Sequence, residues 1–168
     1  YALAEICYLE AIAVRTSKRG AAHEDTLNSQ HHLAILIHNE GRLAEAESLF
    51  KQVLAIRTTS LGADHADVLA TQHRLAMLYR SRGNYDQADS LCRQVLGVQT
   101  DRQGADSLAA VAAKCNLAQI RLSQGKLTQA ETLHKEALDV RTAKLGAYHP
   151  DTLSSRHQLA VVYWAQQK

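Results

Sequence analysis

The sequence predicts an all-α chain, an α-solenoid of stacked antiparallel helix pairs with about eight helices. Three observations carry that expectation. The first is a period of 42 residues: Gly20, Gly62, Gly104 and Gly146 share one column, and Leu33, Leu75, Leu117 and Leu159 share another, each followed by alanine. The second is composition, rich in alanine, leucine and glutamine with a single proline and few aromatics, which favours helix over sheet. The third is that each copy holds two amphipathic stretches of three-to-four spacing, separated by glycine breaks. Contacts in such an array run between neighbours, so function is sought on an extended surface.

In chain order, residues 1–20 read as the second helix of an incomplete repeat, with the helix itself at about 2–18. Residues 21–62, 63–104 and 105–146 read as full repeats, and 147–168 as the first helix of a further one, with its helix at about 151–167. Together they form one array. Its opening in mid-pattern leads us to expect a segment of a longer solenoid. In the second full copy, Asp64 is the expected helix cap with Asp67 third in the helix, and Val68, Leu69, Leu75, Ala76, Leu78 and Tyr79 form the buried face. Gly83, in column with Gly41 and Gly125, closes that helix in the left-handed conformation.

A second helix then buries Tyr85, Ala88, Leu91, Cys92, Val95, Leu96 and Val98 and runs to about Arg102. The small Ala46, Ala88 and Ala130 column lets paired helices approach closely. Away from that face, Glu47 and Lys51, Asp89 and Arg93, and Glu131 and Lys135 place acid before base at four-residue spacing. These are expected to be solvated surface pairs, each worth only about 0.2–0.5 kcal/mol.

A formal charge of +2, with acids and bases scattered, offers no stripe for a nucleic-acid backbone. No apolar run approaches a bilayer span and no secretory leader opens the chain, so no membrane partner and a cytoplasmic location are expected. Cys7, Cys92 and Cys115 lack any CxxC or CxxH spacing and read as reduced thiols, without a disulfide framework or structural zinc.

Aligned on these columns, the chain resembles the tetratricopeptide repeat, in the 42-residue form found in kinesin light chains and in the sensor arrays of some nucleotide-binding signalling proteins. The resemblance rests on Leu33-Ala34 and its equivalents, Tyr79 and Tyr163, Gly83, the Ala88 column, and the linker from Leu145 to Leu153, echoed from Leu61 to Leu69. It covers essentially the whole chain. The third copy departs from the linker pattern, with Gln103-Gly104-Ala105-Asp106-Ser107-Leu108. Gln30, Gln72, Lys114 and Arg156 stand where the family has an apolar residue.

What the resemblance implies is a right-handed superhelix whose first helices line a concave groove that holds a peptide or helix of a partner protein. Mapped onto this sequence, the groove residues are Asn28, His31, Ile35, His38 and Asn39 in the first full copy. They continue as His73, Met77 and Arg80 in the second, Cys115, Gln119 and Leu122 in the third, and His157, Val161 and Trp164 in the last. The family's carboxylate clamp is not matched, because His31 with Ile35 and His73 with Met77 replace its lysine and asparagine. A protein or peptide segment with apolar anchors is the expected partner.

The histidine column is the one arrangement that invites a metal. Zinc needs ligand nitrogens about 2.0–2.1 Å from one ion, whereas equivalent positions on stacked helices sit about 8–10 Å apart, so no metal and no cofactor are expected. The linker histidines His23, His65 and His149 are expected to satisfy backbone groups at helix starts. No phosphate loop, GxSxG elbow or HExxH is present, and Cys115 reads as a small tolerated side chain, so the chain is not expected to be an enzyme. Trp164 reads equally as a peptide-stacking anchor or as surface awaiting a following helix. Two other roles stay open: head-to-tail self-assembly through the open terminal helices, and service as a sensor or regulatory array within a larger signalling protein.

Overall fold

In the computed structural model the described residues are 2–167; Tyr1 and Lys168, the outermost residues of the first and last expected segments, lie outside them. The helices are α1 (Ala2–Arg19), α2 (Glu24–Asn39), α3 (Leu43–Leu61), α4 (Ala66–Ser81), α5 (Tyr85–Gln103), α6 (Leu108–Ser123), α7 (Leu127–Leu145) and α8 (Pro150–Ala165), with no strand among the described residues. They fall into two compact units, residues 1–82 with α1 to α4 and residues 83–168 with α5 to α8. Within each unit every helix packs on the next. The linkers between them are only three or four residues long, which makes such neighbours antiparallel.

The starts of α2, α4, α6 and α8 are each built by a side chain that captures an orphan amide. His23, His65 and His149 take extended N-cap conformations, and their Nδ1 atoms accept from the amides of Asp25, Asp67 and Asp151 at 3.2 Å. The linker histidines are therefore caps. Asp64 is not: the helix begins at Ala66, so the capping position falls on His65 and Asp67 becomes the second helical residue. In the third copy Ser107 takes over, its Oγ accepting from the Ala110 amide at 3.1 Å.

Left-handed residues close the first helices, glycine at positions 41, 83 and 125 and Gln167, at φ 57°, after α8. At Gly41, φ of +81° lets its amide reach His38 O at 2.9 Å while the Arg42 amide reaches Ile37 O at 3.1 Å, and Gly125 with Lys126 repeats the device. Gly62 closes α3 at φ 86°, ψ 155°, a region essentially closed to residues with a Cβ.

The core of the first unit gathers Leu27, Ile37, Phe50, Val53, Val68 and Leu78, all at most 2% exposed. In the second unit Val111, Ile120 and Val162 are fully buried, as is His134, which stands in the Phe50 column. Ala46, Ala88 and Ala130 show no exposed surface, in keeping with close helix approach.

The acidic halves of the predicted surface pairs are not surface groups. Asp89 is 6% exposed and sits between Arg93 on its own helix, at 3.0 Å, and Arg121 of α6, whose Nε lies 2.5 Å from Oδ1. Glu47 accepts from Tyr79 Oη at 3.2 Å and also binds Arg82, and Glu131 accepts from Gln166 Nε2 at 2.9 Å. Each acid thus ties its helix to the end of the next one. The i,i+4 spacing showed only the local half of these contacts.

A second tie repeats along the chain. Arg15 of α1 donates to Asp25 O at 2.9 Å and Ser29 Oγ at 2.5 Å on α2. One period later Arg57 donates to Asp67 O at 3.3 Å and Thr71 Oγ1 at 2.8 Å, and Arg141 to Asp151 O at 3.0 Å and Ser155 Oγ at 2.8 Å. The guanidinium fork satisfies a helix-start carbonyl and a hydroxyl together. At the α5–α6 junction the same columns hold Gln99 and Ala113, so this tie is missing there.

Candidate functional site

In the first unit, α2 and α4 lie side by side and are bridged by His38 Nε2 and Ser81 Oγ at 3.1 Å. Ile35 and His38 on α2, with His73, Met77 and Arg80 on α4, are each partly exposed, and Asn39 is open to solvent at the rim. Two apolar side chains, the thioether of Met77 and the sec-butyl group of Ile35, thus stand among imidazole and guanidinium groups. This suits contact with an apolar anchor whose flanks are polar.

Not every mapped position is free to touch a ligand. His31 is only 8% exposed, its ring packs edge-on against Phe50 with centroids 5.6 Å apart, and its Nδ1 lies 3.4 Å from Thr71 Oγ1. Asn28 Oδ1 accepts from Arg57, so Asn28, Arg57, Thr71 and His31 form one hydrogen-bonded chain across α2, α3 and α4. That chain ties α3 to the two helices that carry Ile35 and Met77. The resemblance placed His31 on the groove surface, whereas its contacts with Phe50 and Thr71 hold the ring inward.

Electrostatics agree with the packing. Burial, then the charges of Arg57, His32 and Arg74, hold His31 down at about 4. Burial followed by Arg74 and Arg80 brings His73 to about 4 as well, and its Nδ1 is buried without a protein partner. His38 is lowered too, by burial first and then by Arg74 and Arg80. These rings are therefore neutral near pH 7, with one nitrogen donating and one accepting.

In the second unit Gln119, Leu122 and Val161 are partly exposed, His157 is exposed, and Trp164 is 81% exposed. Cys115 is 8% exposed, and burial pushes its thiol up despite Arg141 and a hydrogen bond with Ser155. A thiol held protonated is a poor nucleophile. It packs with Val111, Ala137 and Val140 as a small hydrophobe.

All three cysteines are reduced thiols, with Cys7 exposed and Cys92 and Cys115 buried. No group of three or more potential ligands able to hold a metal occurs among the described residues, and no helix is long and apolar enough to cross a membrane. The arginine-to-hydroxyl ties and the buried Asp89 are the elements that sequence reading passed over. Their signal was present in the paired columns Arg15, Arg57, Arg141 and Ser29, Thr71, Ser155, which change together in the third copy.

Consecutive helix pairs with columnar alanines, glycine-closed ends and a partly apolar first-helix surface define a helical repeat protein of the interaction type. The tetratricopeptide repeat family model matches residues 1–59, 25–101 and 107–168, and the chain belongs to that family. Among solved structures it is similar to the nearly identical TPR-like repeats of a Podosopora anserina protein assigned as a kinesin light chain. That likeness has a TM-score of 0.78 at 29% identity, over 97% of this chain and 77% of the other. A point variant of the same protein gives a TM-score of 0.80 at the same identity and coverage. BtubC (BKLC) from P. vanneervenii shares the fold at a TM-score of 0.80 and 22% identity, over 97% of this chain and 65% of its own length. No curated protein matches.

Proposed function

We propose that this chain is a non-catalytic interaction module that captures a peptide or helix of a partner protein on its first-helix surface, with apolar anchors seated at Ile35 and Met77. The carrying observation is that Ile35 and Met77 are partly exposed on α2 and α4, two helices tied to each other and to α3 by the Asn28, Arg57, Thr71 and His31 hydrogen bonds. A braced surface loses little conformational entropy when a ligand arrives, which favours affinity. Gln119, Leu122, Val161 and Trp164 extend the same role in the second unit. The family's use of such surfaces supports the reading, as does the scattered charge, which suits a protein partner in the cytoplasm better than nucleic acid or a membrane.

The test is a pull-down from lysate with the intact chain and with a His73→Ala, Met77→Ala, Arg80→Ala triple variant, the recovered proteins being identified by mass spectrometry. Calorimetric titration of the segment so found should lose most of its heat in the triple variant. An unchanged isotherm rules this surface out.

A further inference from the structure

We propose that His134 is an acid-sensitive latch in the second unit: when its ring takes up a proton, α7 parts from α6 and α8. This goes beyond the partner-binding reading and does not depend on it. His134 lies midway along α7 with no exposed surface, and neither ring nitrogen has a hydrogen-bond partner among the described residues. The same column holds Phe50 in α3 and Cys92 in α5, both buried. An imidazole thus fills a place that the sister helices give to a hydrocarbon ring and a thiol.

The first full copy handles its buried imidazole differently. There His31 stands on the first helix, packs edge-on against Phe50 and reaches Thr71 Oγ1 with Nδ1 at 3.4 Å. In the third copy those two columns hold Cys115 on α6 and His134 on α7. The hydroxyl in the Thr71 column is Ser155 Oγ, and it receives Arg141 at 2.8 Å. A neutral ring bears such a place at some cost, whereas an imidazolium brings a charge and a second N–H that must be satisfied. Water reaches that ring only when α7 moves off its neighbours.

The surrounding charges oppose the proton as well. Burial first, and then Arg141 on the same helix, lowers the pKa of His134. On α6, Lys114 and Arg121 are paired with Glu136 and Asp89, and burial keeps the Cys115 thiol protonated. On α8, Asp151, Arg156 and His157 are exposed, and Lys135 of α7 stands over the Tyr163 ring. Among the described residues no carboxylate counters the penalty. Because the folded value lies below the ordinary 6.5, the stability given by the neutral ring is complete above about pH 6.5 and is lost as pH falls toward the folded value. Both α6 and α8 pack on α7, so its release also dismantles the surface that carries Gln119, Leu122 and Val161.

Hydrogen exchange read by mass spectrometry on the whole chain tests this, at pH 7.5 and pH 5.0 with the rates corrected for their intrinsic pH dependence. Protection of the α7 amides should fall about 30-fold between the two conditions, the factor by which protonation of an ordinary histidine favours the open chain. His134→Phe, which installs the residue of α3, should remove most of that fall. His134→Gln, polar but without a titration, should remove it too while starting from lower protection. Parent protection that stays level between the two pH values overturns the proposal, and so does a fall of the parent's size in either variant.

Discussion

Arg57 of α3 donates from Nη1 to Oγ1 of Thr71 on α4 at 2.8 Å, and the arginine is only 2% exposed. A cation so deeply placed is stable only because Asn28, Thr71 and the Asp67 carbonyl receive its protons. Truncation to Arg57→Ala removes the guanidinium from a buried site and takes one donor from each of those acceptors. It should lower stability by about 2–3 kcal/mol, read as a reduced urea midpoint. Arg57→Lys should recover little, because an ammonium cannot reproduce the planar fork.

The α5–α6 junction lacks this tie, since Gln99 and Ala113 replace the arginine and the hydroxyl. Introducing Gln99→Arg and Ala113→Ser together should therefore stabilise the second unit by about 1 kcal/mol. Neither change alone should do so, and a double-mutant cycle measures the coupling. Hydrogen exchange at the first turn of α6 should slow in the double variant. Equal exchange in parent and variant would contradict the assigned tie.

His31 makes stability depend on pH. Its folded value of about 4 lies below the ordinary 6.5, so the unfolded chain takes up the proton first as pH falls. Stability contributed by the neutral ring is complete above about pH 6.5 and is lost between there and about pH 4. The groups facing the ring are Arg57 from α3, Asp67, Thr71 and Arg74 from the α4 side, and His32 on its own helix. Arg57, His32 and Arg74 oppose protonation and only Asp67 favours it. For this one residue the loss amounts to about 3 kcal/mol. Urea unfolding of the parent and of His31→Gln at pH 7.5 and pH 4.5 should give a markedly smaller pH difference in the variant.

The histidine caps make a separate, local prediction. His65→Ala removes the acceptor of the Asp67 amide and should cost about 1 kcal/mol. His65→Ser should restore much of that, because Ser107 already performs the task in the third copy. Thermal unfolding of the three proteins distinguishes the cases. Equal midpoints would show that Nδ1 of His65 does not cap α4.

Helix positions and the glycine breaks were legible at the level of residues, because local periodicity and backbone chemistry act within one turn of the chain. Leu33 with Ala34 and Gly41 in column already imply a buried stripe and its end. Asp64 misled for a physical reason: aspartate is a strong cap, yet the helix begins two residues later, where His65 has the reach. Asp89 misled because its four-residue spacing to Arg93 looks like any exposed pair, and only the neighbouring helix brings Arg121 to the same carboxylate. His31 shared a column with His73 and His157, but the three differ in burial because different neighbours, Phe50 above all, stand beside them.

By itself the sequence determined the repeat, the class of fold, the glycine-closed helix ends and the family, since these follow from periodicity and from backbone preferences that need no distant partner. Only the tertiary structure decided which polar groups are interior: Arg57, Asp89 and His31 became structural because adjacent helices removed their water and supplied hydrogen bonds in its place. That same exchange of water for protein contacts left Ile35 and Met77 partly open.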